Sequence, residues 1–366
     1  MELIYENKKS KDNILEMAYS PNNKKIENFG KNLLIEGDNF KALSCLLPNY
    51  KGKIDLIYID PPFNTNLVFG VSEGRANSIS KSRNMSVAYS DKMGKDEFLE
   101  FLRERLIIMR ELLSEEGSIY LHIDYKIGHY VKIIMDEVFG ESNFNNDIAR
   151  IKSNPKNFAR KAYGNEKDLV LFYSKSKGKN IWNNITIPLS KEEIDKAFLK
   201  VDKNGRRYTT IPLHAPGESS PNSPTGQPWR GIPVPKGRHW RTDPSEFDIL
   251  DTKGDIEWSS KGNPRIKKYA DEHKGKKIQD IWTYKDPQYP TYPTEKNHDM
   301  LKMIIQQSSN EKSIVLDCFC GSGSALIEAD KLNRKWIGID ASELSIKIFK
   351  KNLCDNNIKD YDFINI

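Results

Sequence analysis

The chain lacks any run of about 18 uninterrupted apolar residues that could cross a bilayer. Its first residues, Met1 to Lys9, read as charged and polar rather than as a secretory leader. Both absences argue against a membrane partner, and a cytoplasmic location is the expectation. Cysteine is scarce: Cys45, Cys318, Cys320 and Cys354 are four residues in 366, too few and too scattered for a disulfide framework. No second Cys/His pair complements Cys318 and Cys320, so no metal site is expected and the two read as small residues beside a tight turn. Internal repeats are absent. Excess charge is also modest, 57 − 51 = +6, but its distribution is uneven. From Arg150 to Asn180 nine Lys or Arg face only Glu166 and Asp168, and a second basic stretch runs from Lys261 to Lys285. Such stretches suit a polyanion, because neutralised phosphates release counterions.

What is present is an alternation of strand and helix signals at both ends of the chain. Asn32 to Glu36 and Asp55 to Ile59 are short apolar runs, and the second stops at Asp60-Pro61-Pro62, where proline ends a central strand. Phe98, Phe101, Leu102, Leu106, Met109 and Leu113 recur at three- and four-residue steps and predict an amphipathic helix, closed by Gly117. Ser118 to Ile123 then reads as a buried strand. Order returns near the end with a helix over about Lys296 to Ser308, a strand Ser313 to Leu316, a glycine turn, a helix to about Leu332 and a strand Lys335 to Ile339. The middle differs in texture: Pro212 to Pro244 holds eight prolines, which predicts long loops and short strands.

The glycine turn, Leu316 to Ser324 (LDCFCGSGS), lies between a strand and a helix, where glycines let the backbone approach a ligand. Asp340, 19 residues beyond Gly321 at the end of the next strand, is placed to bind a ribose hydroxyl pair. The residue three after Gly323 is Leu326 rather than Gly or Ala, which argues against a nicotinamide dinucleotide. Asp317 ahead of the turn suits a cation such as S-adenosylmethionine better than a pyrophosphate.

Asp60-Pro61-Pro62-Phe63 is the more specific signal: an acceptor carboxylate, two prolines that set the backbone, and an aromatic at a strand's carboxyl edge. The amino nitrogen of adenine is a poor nucleophile because its lone pair is delocalised into the ring. Asp60 accepting one N6 proton and the Pro61 carbonyl the other would localise that pair toward a methyl carbon. Phe63 would stack on the base, which must leave the duplex to be reached.

DPPFNT (Asp60 to Thr65) followed downstream by DCFCGSGS (Asp317 to Ser324) resembles the β-class amino-methyltransferases, in which the catalytic motif precedes the cofactor motif. NLLIEGDNFKAL, YPTEKN, TGQPWRGI, GRHWR, IEWSSKGNPRIKKY and IQDIW extend the likeness over about Asn32 to Lys350. They are similar to adenine-specific modification subunits of type III restriction-modification systems. The resemblance implies an α/β fold: a Rossmann-like S-adenosylmethionine-dependent methyltransferase sheet in circularly permuted motif order, carrying a target-recognition insert. It implies that Asp38 borders the adenosyl group and that Thr294 and Lys296 hold the methionine carboxylate. Asp317, Phe319, Gly321, Ser322 and Gly323 would line the methionine and ribose, and Asp340 the ribose hydroxyls. It further implies double-stranded DNA as substrate, direct methyl transfer to adenine N6, and a homodimer or a restriction subunit as protein partners.

Three domains follow: a catalytic half over 1–149, a recognition insert over 150–285 and a cofactor-binding half over 286–366. Within the insert Trp229, Arg230, Arg238, His239, Trp240, Arg241 and Trp258 interleave aromatics with cations. Of these Arg230, Arg238, Trp240 and Arg241 are the candidate DNA contacts. The Ser-, Asn- and Gly-rich segment Gly70 to Asp91 is expected to be a mobile loop that closes over flipped DNA. Readings that stay open on sequence alone are a cytosine-N4 or RNA methyltransferase, a DNA-binding subunit without activity, and an NAD-dependent oxidoreductase.

Overall fold

The computed structural model describes the chain except residues 1, 28–29, 63–67, 73–74, 78–85, 91–92, 155–160, 221 and 288–294; between 68 and 90 it describes backbone alone. Residues 1–185 and 279–366 form one compact unit and residues 186–278 a second.

The first unit is built on a nine-stranded sheet. Its strands are Asn32–Glu36 (β1), Ile54–Ile59 (β2), Leu113–Ile123 (β3), Phe144–Ile151 (β4), Lys167–Ser174 (β5), Ile281–Thr283 (β6), Ile314–Asp317 (β7), Lys335–Asp340 (β8) and Tyr361–Asn365 (β9). Their order is β6-β4-β5-β3-β2-β7-β8-β1-β9. From β3 across to β9 every neighbouring pair is parallel, and β5 alone is antiparallel to both its neighbours. The central parallel strands read almost continuously apolar because helices cover both faces. Strands β2 and β7, from opposite ends of the chain, lie side by side with Ile57 opposite Leu316. That adjacency puts Asp60 and Asp317 at one edge, where α/β sheets bind ligands.

The helices are Lys11–Ala18 (α1), Asn39–Tyr50 (α2), Lys95–Leu112 (α3), Gly128–Phe139 (α4), His298–Ser308 (α5), Ser324–Lys331 (α6) and Glu343–Asp355 (α7). The periodicity expected from Phe98 appears as α3, which starts at Gly94 as N-cap and carries Asp96 and Glu97 in its first turn, where the helix dipole favours acids. It buries Phe98, Leu102, Leu106 and Met109 on the sheet. Each such side chain contributes about 1.5–3 kcal/mol.

Two sequence expectations are corrected here. The boundary at 150 falls inside β4, and the apolar patch around Asp168 to Tyr173 is β5 of the main sheet, so the separate unit begins at 186. An apolar strand finds more burial in an existing sheet than in a small insert. The stretch 70–91, expected as a loop, contributes most of a three-stranded antiparallel sheet of Val68–Ser72, Arg75–Asn77 and Ser86–Ser90, while its remaining residues lie outside those described.

The second unit holds a four-stranded antiparallel sheet ordered Lys200–Val201, Arg207–Pro212, Pro264–Tyr269, Ile256–Trp258, a hairpin of His214–Pro216 with Arg238–Trp240, and a helix Pro244–Lys253. Its core is Leu213, Trp229, Trp240, Phe247, Ile256 and Ile266. Among the described residues of the chain no helix is long and apolar enough to cross a membrane.

Gly323 is the N-cap of α6 at φ +80°, and a Cβ there would drive into the ring of the fully buried Phe349. Gly323→Ala combines left-handed backbone strain with overpacking, and each costs about 1–3 kcal/mol. Urea unfolding should show a lower midpoint at unchanged slope; an unchanged midpoint would refute the fit.

Candidate active site

Four adjacent strands, β2, β7, β8 and β1, each end near an aspartate: Asp60, Asp317, Asp340 and Asp38. All four line a cavity of about 330 Å³, together with Tyr58, Pro62, Phe101, Glu295, Lys296, Phe319, Gly321 and Ser322.

Asp38 caps α2 by accepting from Lys41 N at 3.0 Å, and its other oxygen accepts from Arg105 at 3.0 Å. The neighbouring Asn39 amide donates to the Cys318 carbonyl at 3.1 Å, tying α2 to the glycine turn. Asp317 is 4% exposed and accepts from Phe319 N at 3.0 Å. Burial pushes its carboxyl well above the usual range, and the nearby Asp60 and Asp340 push the same way. Asp340 accepts from Gly321 N at 2.8 Å and Ser342 N at 2.9 Å, and burial raises its carboxyl too. The Ser345 side chain gives this carboxylate a further hydrogen bond.

Asp60 forms an ion pair with Lys296 through one oxygen. Its other oxygen, Oδ1, is buried and has no hydrogen-bond partner among the described residues. An orphaned buried acceptor costs about 1–3 kcal/mol until a donor reaches it. Oδ1 is therefore poised to receive an N–H from a ligand. Lys296, which the family likeness assigns to a carboxylate, thus also neutralises the catalytic candidate.

The structure gathers Asp38, Asp60, Pro62, Lys296, Asp317, Phe319, Gly321, Ser322 and Asp340 around one cavity. Pro61 is buried beside it in sequence, and Gly323 serves by its backbone conformation rather than by lining. Phe63 and Thr294 lie outside the described residues. Sequence reasoning missed Phe101, whose ring sits 6.1 Å from that of Phe319, because an apolar residue on a helix carries no chemical signature. Glu295 lay inside the quoted YPTEKN motif but was given no role of its own. It contacts His298 at 3.3 Å, and His298 contacts Glu328 at 2.9 Å. Also missed was a buried chain beneath the site: Tyr58 to His122 at 3.2 Å and His122 to Asp168 at 3.2 Å, with Lys152 on Asp168 at 2.5 Å. Arg150 is fully buried and pairs with Asp286 at 2.5 Å. Arg150 and Lys152 are therefore engaged inside the fold, which corrects the reading of both as polyanion contacts.

In the second unit Trp240 is 2% exposed, donates to the Gln227 carbonyl at 2.7 Å and packs edge-on against Phe247. It is core and presents no face to a base. Arg230 is paired with Asp248 at 2.7 Å and Asp251 at 2.5 Å, whereas Arg238 and Arg241 are exposed.

The DNA methylase family model matches residues 54–351. The chain belongs to that family. This DNA methyltransferase is 40% identical over 343 residues to the type II methyltransferase M.EcaI of Enterobacter cloacae, covering 91% of this chain and 72% of the relative. It is 26% identical to the type III StyLTI Mod subunit of Salmonella typhimurium, covering 83% of this chain and 50% of that protein. It spans between 22% and 50% of the length of four such Mod subunits. A solved M1.HpyAVI–SAM complex is similar at TM-score 0.46 and 17% identity, covering 88% of this chain and all of that one.

The cofactor of this methyltransferase is S-adenosyl-L-methionine, and the cavity fits it. Asp317 is a buried carboxylate that a sulfonium or ammonium would neutralise, Asp340 would accept from the ribose hydroxyls, and Lys296 would hold an amino-acid carboxylate. Because burial raises Asp317 and a cation favours its ionised form, cofactor binding should release protons and weaken as pH falls. Calorimetry in buffers of different ionisation heat measures this; a heat independent of buffer at mildly acidic pH would contradict it.

Hydrogen bonds to Glu295 and Glu328 raise His298 to about 9. Its stabilisation is complete below the free imidazole value of about 6.5 and is lost as pH rises through about 9. The melting temperature should fall between pH 7.5 and 9.5 more steeply in the native chain than in His298→Gln; parallel profiles would refute the assignment.

Proposed function

We propose that this chain is a site-specific methyltransferase that modifies adenine N6 in duplex DNA, in the cytoplasm and in a restriction-modification setting. The observation that carries the reading is the buried, unsatisfied Oδ1 of Asp60 in the cavity, followed directly by Pro61 and Pro62. An exocyclic amine offers two N–H donors. Asp60 Oδ1 accepts one and the Pro61 carbonyl the other, which localises the nitrogen lone pair for attack. The sulfonium of bound S-adenosylmethionine would supply the methyl group and keep the pair of the broken C–S bond, while Asp60 would take the surplus N6 proton. Phe63 stacks on the flipped base in this reading.

The unit 186–278 serves as the recognition insert, with 1–185 and 279–366 supplying the catalytic and cofactor halves of one domain. The likeness to Mod subunits supports a restriction subunit as partner; a homodimer rests on the resemblance alone.

The test is to incubate the chain with mixed-sequence duplex and methyl-labelled cofactor and to identify the labelled nucleoside. N6-methyladenine is the expected product. Label on cytosine would move the chemistry to N4, and no label despite DNA binding would favour a binding subunit. Asp60→Ala should lower the single-turnover rate roughly 10²–10³-fold while retaining the cofactor; a near-native rate would overturn the assignment of Asp60.

A further inference from the structure

The arginines of the second unit divide into two sets. Arg206, Arg207 and Arg230 each sit on carboxylates: Asp271 and Glu272, Asp195, and Asp248 and Asp251 respectively. Arg238, Arg241 and Arg265 have no carboxylate partner among the described residues and are positioned by neutral acceptors instead. Arg265 donates to the Thr210 hydroxyl at 2.9 Å and carbonyl at 2.8 Å. Arg241 donates through Nε to the Pro212 carbonyl at 2.9 Å, and Arg238 donates to His214 Nδ1 at 3.3 Å.

These three converge on one place. Pro212 is opposite Arg265 in the sheet and accepts from Arg241, and two residues later His214 pairs with Trp240 in the hairpin that carries Arg238. Since a guanidinium only donates, His214 Nδ1 is the unprotonated nitrogen, which leaves Nε2–H as a fourth donor. Burial holds His214 toward its neutral form, and the charges of Arg238, Arg241 and Arg265 push the same way.

We infer that Arg238, Arg241, Arg265 and the Nε2–H of His214 form a clamp for phosphodiester groups of the DNA backbone. Three like charges held together without a counter-ion repel one another, and an anion relieves that repulsion. The remaining guanidinium N–H groups match phosphate oxygens. A single guanine edge would engage one guanidinium fork, so convergence of three favours backbone over base. Arg230, neutralised by two carboxylates, lies outside the clamp. The inference rests on the proposed reading that this unit engages duplex DNA.

The test measures affinity of the full chain for duplexes of unrelated sequence against salt concentration. Each Arg→Gln change at 238, 241 or 265 should lower the slope of log K on log salt by about 0.9 for each phosphate released. The loss should be equal on all sequences, and Arg→Lys should restore the slope. Arg230→Gln should leave it unchanged. An unchanged slope in the triple variant, or a loss confined to one sequence as base reading would give, overturns the clamp while leaving the methylation reading intact. A native chain that binds no duplex would overturn that reading as well, and the labelled-nucleoside assay reports on it independently.

Discussion

Four carboxylates at the ends of four neighbouring parallel strands set the terms for the rest of the catalytic unit. Asp60, Asp317, Asp340 and the more exposed Asp38 share one cavity, and in a low-dielectric pocket the mutual repulsion of the first three is costly. The chain manages that cost differently at each position. Asp38 is spent on a helix cap and Arg105, Asp340 on two backbone N–H groups, and Asp60 on Lys296. Asp317 keeps the least compensation and is the most strongly pushed toward its protonated form. A cationic ligand is the natural complement of such a site, and Asp60 Oδ1 is the one acceptor there that burial leaves without any donor among the described residues.

The sheet makes this gathering unavoidable once β2 and β7 are neighbours. Parallel strands all end on one edge, so residues that follow them come together whatever their distance along the chain. Placing the catalytic strand early and the cofactor strand late changes the order of motifs without changing that edge. The second unit enters the chain between β5 and β6, away in sequence from the four strands that carry the aspartates.

In the second unit the same residue types divide between packing and contact. Trp229 and Trp240 close a core around Phe247, where their N–H groups find Asp248 and the Gln227 carbonyl. A module this small has few other large side chains with which to build an interior. The cations divide by partner: those beside carboxylates are neutralised locally, and those beside carbonyls, a hydroxyl and an imidazole keep their charge for something outside the chain.

The amino-acid sequence by itself determined the apolar strands, the amphipathic α3, the DPP stop after β2 and the glycine turn before α6, because each depends on local periodicity or on the stereochemistry of proline and glycine. It also determined the family, since the paired motifs are rigid in residue type. Only the tertiary structure decided that β4 and β5 complete the main sheet, that Trp240 is core, and that Arg150 and Lys152 belong to a buried chain with Asp168 and His122. It alone separated Arg238, Arg241 and Arg265 from Arg230. These outcomes depend on which side chains meet across long stretches of sequence, and a charge or an aromatic ring carries no local mark of the partner it will find.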